Sequence, residues 1–109
     1  MKYKVISIPP FDRQLKRLAK KFPSLKNEFS TLVEELETDP KQGTELGSNC
    51  YKIRLAIASK SKGKSGGARV ITNFIISEHT VFLIAIYDKS EQADLNDKEL
   101  AELLKYVPE

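Results

Sequence analysis

The sequence predicts an α+β sandwich, ordered strand, two helices, three strands, helix (β-α-α-β-β-β-α), with helices covering one face of a mostly antiparallel sheet. Three observations carry this prediction. Two stretches near the start repeat apolar residues at helical spacing. From Tyr51 onward the period shortens to that of strands and ends in a near-continuous apolar run, Val81 to Tyr87. A strongly signalled helix start then follows at Asn96.

Taken in order, Lys2 to Ile8 alternates polar and apolar residues, with Tyr3, Val5 and Ile8 on the buried side of a first strand. Pro9-Pro10 ends it. Phe11, Leu15, Leu18 and Phe22 fall at i, i+4, i+7 and i+11, one face of a helix; Pro10 suits its first turn and Pro23 stops it. Leu25, Phe29, Leu32, Val33 and Leu36 form the stripe of a second helix, which must end before Pro40. The short break between them predicts a helical hairpin. Lys41 to Asn49, with Gly43 and Gly47, reads as a loop. Tyr51-Lys52-Ile53-Arg54-Leu55 alternates, and Ala68 to Ile76 is rich in β-branched and aromatic residues. Val81 to Tyr87 reads as a central strand buried on both faces, joined to its predecessor by Ser77-Glu78-His79-Thr80, a hairpin-length connection. Asn96 is placed as N-cap with Glu99 three residues on, and Leu95 and Leu100 sit at staple positions. Leu100, Leu103, Leu104 and Val107 make the apolar face of this last helix.

A chain of 109 residues, 40% of them hydrophobic, predicts a single domain over 1–109 with one core. No apolar run reaches the roughly 18 residues needed to span a membrane. The start, Met1-Lys2-Tyr3-Lys4-Val5, lacks the apolar stretch and cleavage site of a signal peptide. Cys50 is the single cysteine and His79 the single histidine, which excludes a disulfide framework and makes a metal site or bound cofactor unexpected. A cytoplasmic protein without a membrane partner is expected.

The net charge of +3 is unevenly spread. Lys52, Arg54, Lys60, Lys62, Lys64 and Arg69 lie between Leu46 and Ser77 with no acidic residue among them, leaving 12 basic and 15 acidic residues elsewhere. Such asymmetry suits a polyanionic partner, nucleic acid before membrane because no basic amphipathic helix accompanies it. On charge alone, a solvated lysine loop explains the segment equally well.

Lys60, Lys62 and Lys64, set among the serines and glycines of Ser59 to Gly67, can reach phosphates as mobile point charges. The segment is not a nucleotide-phosphate loop: Gly63-Lys64-Ser65 lacks the upstream glycine, and a strand is predicted to follow where a helix is required. Lys52 and Arg54, two apart on a strand, share a face opposite Ile53 and Leu55. Arg69 begins the next strand, and Tyr87 and Lys89 end the one after. If these strands are neighbours, all five converge on one side of the sheet. Singly, each is an ordinary solvated residue; together they are a candidate site. His79 reads as a turn histidine and Cys50 as a packing residue. Glu34, Glu35 and Glu37 read as a solvated helix face, so any catalysis must use Lys, Arg and Tyr.

With these residues placed, the chain resembles the RelE/ParE superfamily of bacterial type II toxins, and within it the HigB-like branch. Tyr51-Lys52-Ile53-Arg54-Leu55 is similar to the family's second strand. Lys60 to Arg69, with Lys62-Gly63-Lys64 and Gly66-Gly67-Ala68-Arg69, is similar to its basic loop and third strand. Phe82 to Glu91 is similar to its fourth strand and exit, with Asp94-Leu95 ahead of the last helix. The resemblance implies a RelE-like fold and a ribosome-dependent endoribonuclease (an mRNA interferase). It would cut mRNA in the 30S A site by attack of the 2′-hydroxyl on the adjacent phosphate, without a metal. It also implies neutralisation by a cognate antitoxin, a small helix-turn-helix or partly disordered protein. Arg69 matches the family's catalytic arginine, and Lys52 and Arg54 its second-strand pair. Lys89 matches a basic position that can act as acid or phosphate ligand. Tyr87 suits base stacking or proton transfer, and Lys60, Lys62 and Lys64 suit docking on RNA. Where many relatives carry a catalytic tyrosine, this chain has Leu95, and Tyr106 lies one helix later. The same fold also serves gyrase inhibition of the ParE type or non-catalytic nucleic-acid binding, and the sequence leaves both open.

Overall fold

The computed structural model describes residues 2–60, 66–92 and 94–108, with Lys60 described through its backbone alone. The predicted docking lysines Lys62 and Lys64 therefore lie outside the described residues, as does the Lys60 side chain. The chain runs β1 (Lys4–Ser7), α1 (Pro9–Lys21), α2 (Leu25–Thr38), β2 (Thr44–Gly47), β3 (Cys50–Leu55), β4 (Ala68–Ile75), β5 (Thr80–Asp88) and α3 (Asp97–Leu104). The five strands form one sheet in the order β1-β5-β4-β3-β2. β1 runs parallel to β5, and every other neighbouring pair is antiparallel. This is the predicted α+β class.

The helical stripes are buried as their spacing requires. Phe11, Leu18, Phe22, Leu25, Leu32 and Leu36 all enter the core, and the rings of Phe11 and Phe29 join α1 to α2 with centroids 5.6 Å apart. β4 and β5 supply the other wall: Val70, Val81 and Ile84 are fully buried. Every residue of β5 is buried, so both faces of this central strand are covered. Val5 of β1 and Tyr3 just before it pack against the core, with Tyr3 edge-on to Phe74. His79 occupies its turn in the left-handed region, φ 55°, and its ring stacks on Tyr3 with centroids 4.0 Å apart. Cys50 is buried, with Asn73 donating to its sulfur at 3.3 Å. Burial pushes its thiol pKa up, against a smaller downward effect of Asn73, so the thiol stays protonated and packs.

One element departs from the sequence reading. Thr44–Gly47, read as loop, is the edge strand β2, paired antiparallel to β3. All four residues are exposed, so no alternation of apolar residues marks it. Backbone geometry makes it possible instead. Ser48 and Asn49 both have positive φ (53° and 63°), the mirror-image two-residue turn whose twist suits a hairpin. Gly43, φ +94°, approaches β3 so closely that a Cβ there would stand 2.3 Å from the Lys52 carbonyl oxygen.

Candidate active site

The sheet register assembles the basic residues. Arg54 on β3 lies opposite Arg69 on β4, which lies opposite Tyr87 on β5. Residues so paired project to the same face, with strands about 4.8 Å apart. Lys52, two residues before Arg54, shares that face. Lys52, Arg54, Arg69 and Tyr87 therefore converge as the strand periodicity predicts. Lys89 follows directly on β5, its N–H donating to the Gly67 carbonyl at 3.0 Å. Its position is set by a tight exit turn: the buried Asp88 accepts from the Ser90 N–H and hydroxyl at 3.0 and 2.9 Å, and its carbonyl accepts from Glu91 and Gln92.

The sequence reading missed the residue that ties this face together. Asp94 accepts three hydrogen bonds at one oxygen, Oδ1: from Leu95 N–H at 2.9 Å, from the Tyr87 hydroxyl at 3.2 Å and from Lys52 Nζ at 3.5 Å. Among the described residues, no donor is bonded to Oδ2. The Asp94 side chain is 64% exposed and that of Lys52 29% exposed, so the pair sits at the mouth of the cluster. By charge pattern Asp94 belongs to the acidic remainder of the chain. Its contact with Lys52, 42 positions away, exists only once β3, β4 and β5 are side by side. Beside it, Leu95 packs against the core, while Tyr106 stands exposed beyond α3.

The electrostatics separate the roles available. Arg69 is only 5% exposed and donates to the Ala68 carbonyl at 3.1 Å, a buried guanidinium beneath the face rather than a surface charge. Arg54 is exposed. The Tyr87 pKa is pushed up to about 12 by burial and by the Asp94 carboxylate, against a smaller downward pull from Arg69. At neutral pH it is therefore a phenol that donates, not a phenolate. Asp94 is held below the usual carboxylate range by the Leu95 N–H first, against an opposing effect of burial, with Lys52 and Tyr87 adding smaller downward pulls. The face thus combines cations, one phenol and one ionised carboxylate, and no imidazole. Among the described residues, no three His, Cys, Asp or Glu side chains are grouped to hold a metal ion.

Two features support this face from the side. Glu91, in the turn after β5, is bound by Arg17 at 3.1 Å and Lys21 at 3.3 Å, both on α1. A groove of about 690 Å³ runs between α1, the later half of β5 and α3, and Tyr87 and Leu95 line it. β1 covers the edge of β5 only as far as Leu83; Ala85 to Tyr87 have a ladder partner on β4 alone, and Ile84 falls at the register shift between Ile71 and Thr72.

The fold has counterparts. The chain is similar in fold to an arginine-to-alanine double mutant of E. coli toxin RelE in the free state, with 22% sequence identity and a TM-score of 0.63 over 99% of this chain and 100% of that one. It is similar also to the isolated E. coli RelE toxin in a P21 crystal form, with 20% identity and a TM-score of 0.57 over 97% and 99% of the two chains. At these identities the likeness speaks for the fold. The family is shown by sequence: residues 11–108 match the model of the RelE toxin of the RelE / RelB toxin-antitoxin system. The match runs from the first turn of α1 through α3 and includes every residue of the cationic face, and on it the chain belongs to the RelE toxin family.

Proposed function

We propose that this RelE-family toxin is a ribosome-dependent endoribonuclease. It acts as one domain in the cytoplasm and cuts mRNA in the 30S A site by metal-free attack of the 2′-hydroxyl on the neighbouring phosphate. A cognate antitoxin restrains it. The observation that carries the reading is the alignment of Arg54, Arg69 and Tyr87 across three strands, with Lys52 beside them. The transition state of such a cleavage gathers negative charge on phosphorus-bound oxygens, and positive groups fixed in advance around it are the largest catalytic aid available. Lys52 and Arg54 reach the phosphate directly. Arg69 supplies positive potential from below, Lys89 flanks the exit of β5, and Lys60, Lys62 and Lys64 dock the toxin on RNA. Tyr87 donates a proton or stacks on a base.

Induced expression is expected to arrest growth and to leave codon-phased cuts in translated mRNA. Arg69→Ala is expected to abolish both, and a fully toxic Arg69→Ala variant would remove Arg69 from the mechanism. Growth arrest with a DNA-damage response and intact mRNA would replace this reading by gyrase inhibition. Salt-sensitive RNA binding without toxicity would replace it by a binding module.

A further inference from the structure

We propose that the Asp94 carboxylate is the proton acceptor for the attacking 2′-hydroxyl; the inference rests on the nuclease reading above. A base must offer an unprotonated lone pair at neutral pH. Arg54 and Arg69 offer none, since a guanidinium keeps its proton in proteins. Lys52 already donates to a carboxylate, and Tyr87 donates its hydroxyl to the same oxygen. Asp94 is the one ionised oxygen acid among the described residues at this face. Its three bonds all land on Oδ1, which leaves Oδ2 to receive a hydroxyl, and at 64% exposure the group is open to substrate. The ion pair with Lys52 offsets the repulsion between this carboxylate and an incoming phosphate.

The step balances. Asp94 takes the 2′-hydroxyl proton as the 2′-oxygen bonds to phosphorus and the bond from phosphorus to the 5′-oxygen breaks. The leaving 5′-oxygen takes the proton of the Tyr87 hydroxyl. The Asp94 carboxylic acid then releases its proton from Oδ2 to solvent and the Tyr87 phenolate takes one up from solvent, restoring the Tyr87–Oδ1 hydrogen bond of 3.2 Å. The products are a 2′,3′-cyclic phosphate and a 5′-hydroxyl, and the protein returns to its starting state.

The test is single-turnover cleavage of a model mRNA on programmed ribosomes by wild type, Asp94→Asn and Asp94→Glu across pH. Asn keeps the size and an acceptor oxygen but cannot take the proton. We expect a loss of at least about 100-fold in cleavage rate with ribosome binding unchanged, partial recovery in the Glu variant, and loss of the acid limb of the pH profile in the Asn variant. A 5′-phosphorothiolate substrate, whose leaving group needs no acid, should restore Tyr87→Phe but not Asp94→Asn. If wild type cuts and Asp94→Asn cuts within about threefold of it, or if the thiolate rescues Asp94→Asn, the proton-acceptor role is overturned while the nuclease reading stands. If wild type cuts no RNA, both fall.

Discussion

Glu91 accepts from Arg17 at 3.1 Å across 74 positions of sequence, and through this pair α1 grips the turn that follows β5 and includes Lys89. Arg17 first, then Lys21, holds the Glu91 carboxyl below its ordinary value of 4.5. The pair is exposed, so its contribution to stability is small, under about 1 kcal/mol. Its effect on position is larger. Glu91→Gln is expected to change stability by no more than about 0.5 kcal/mol in denaturant titration while lowering mRNA cutting roughly tenfold. Because the folded-state pKa is depressed, the stabilisation is present above pH 4.5 and lost as pH falls through the lower folded value. Wild type and Glu91→Gln should therefore converge in stability in acid; a difference that persists there would refute the pairing.

Tyr87 makes the opposite prediction at alkaline pH. Its pKa is raised from 10.0 to about 12, so its contribution is complete below pH 10 and lost as pH rises from 10 through 12. Ultraviolet titration should show a tyrosinate step near pH 12 that Tyr87→Phe removes. Asp94→Asn should lower that step, because the carboxylate supplies part of the upward shift. An unchanged step in Asp94→Asn would mean that the contact between the two is not formed in solution.

The two glycines flanking β2 separate steric from conformational cost. Gly43→Ala drives a methyl into the Lys52 carbonyl, and something in the β2–β3 pair must shift. Gly47→Ala meets open space and suffers only the strain of φ +91°. The expectation is about 1 kcal/mol lost at Gly47 and roughly 2–3 kcal/mol at Gly43. Cutting activity should fall only at Gly43, since Lys52 moves with its backbone. Chemical denaturation and the cleavage assay together check both.

These two glycines also mark where the sequence stopped being legible. The stripes of α1 and α2, the buried run of β5 and the alternation of β3 each follow from an apolar period, and each formed as read. β2 has no such period, because an exposed edge strand needs only backbone partners. The convergence of Lys52, Arg54, Arg69 and Tyr87 was legible from strand parity once β3, β4 and β5 are neighbours, a condition the sheet order meets. The burial of Arg69 was not, since parity gives a face and says nothing of what covers it. Asp94 was hidden for a related reason: its meaning depends on a contact between segments 42 positions apart.

The capping box of α3 was fully visible and is formed: Asn96 accepts from Glu99 N–H at 2.8 Å, and Glu99 accepts from Asn96 N–H at 3.3 Å. Leu100, Leu103 and Leu104 of this eight-residue helix pack against the core but none is fully buried, so the cap adds appreciably to its stability. Asn96→Ala is expected to weaken α3 by about 1 kcal/mol. Amide exchange should quicken across Asp97–Leu104 while protection in β4 and β5 stays unchanged. Uniform loss of protection would show α3 to be coupled to the whole fold.

The parallel pairing of β1 with β5 joins Lys4 to Thr80, so a strand made among the first residues waits for one made near the end. Closing so long a loop is slow, and β4 likewise lacks its larger neighbour until β5 exists. The three-strand alignment of Arg54, Arg69 and Tyr87 is therefore complete only once β5, the last strand in sequence, has been made and docked on β4.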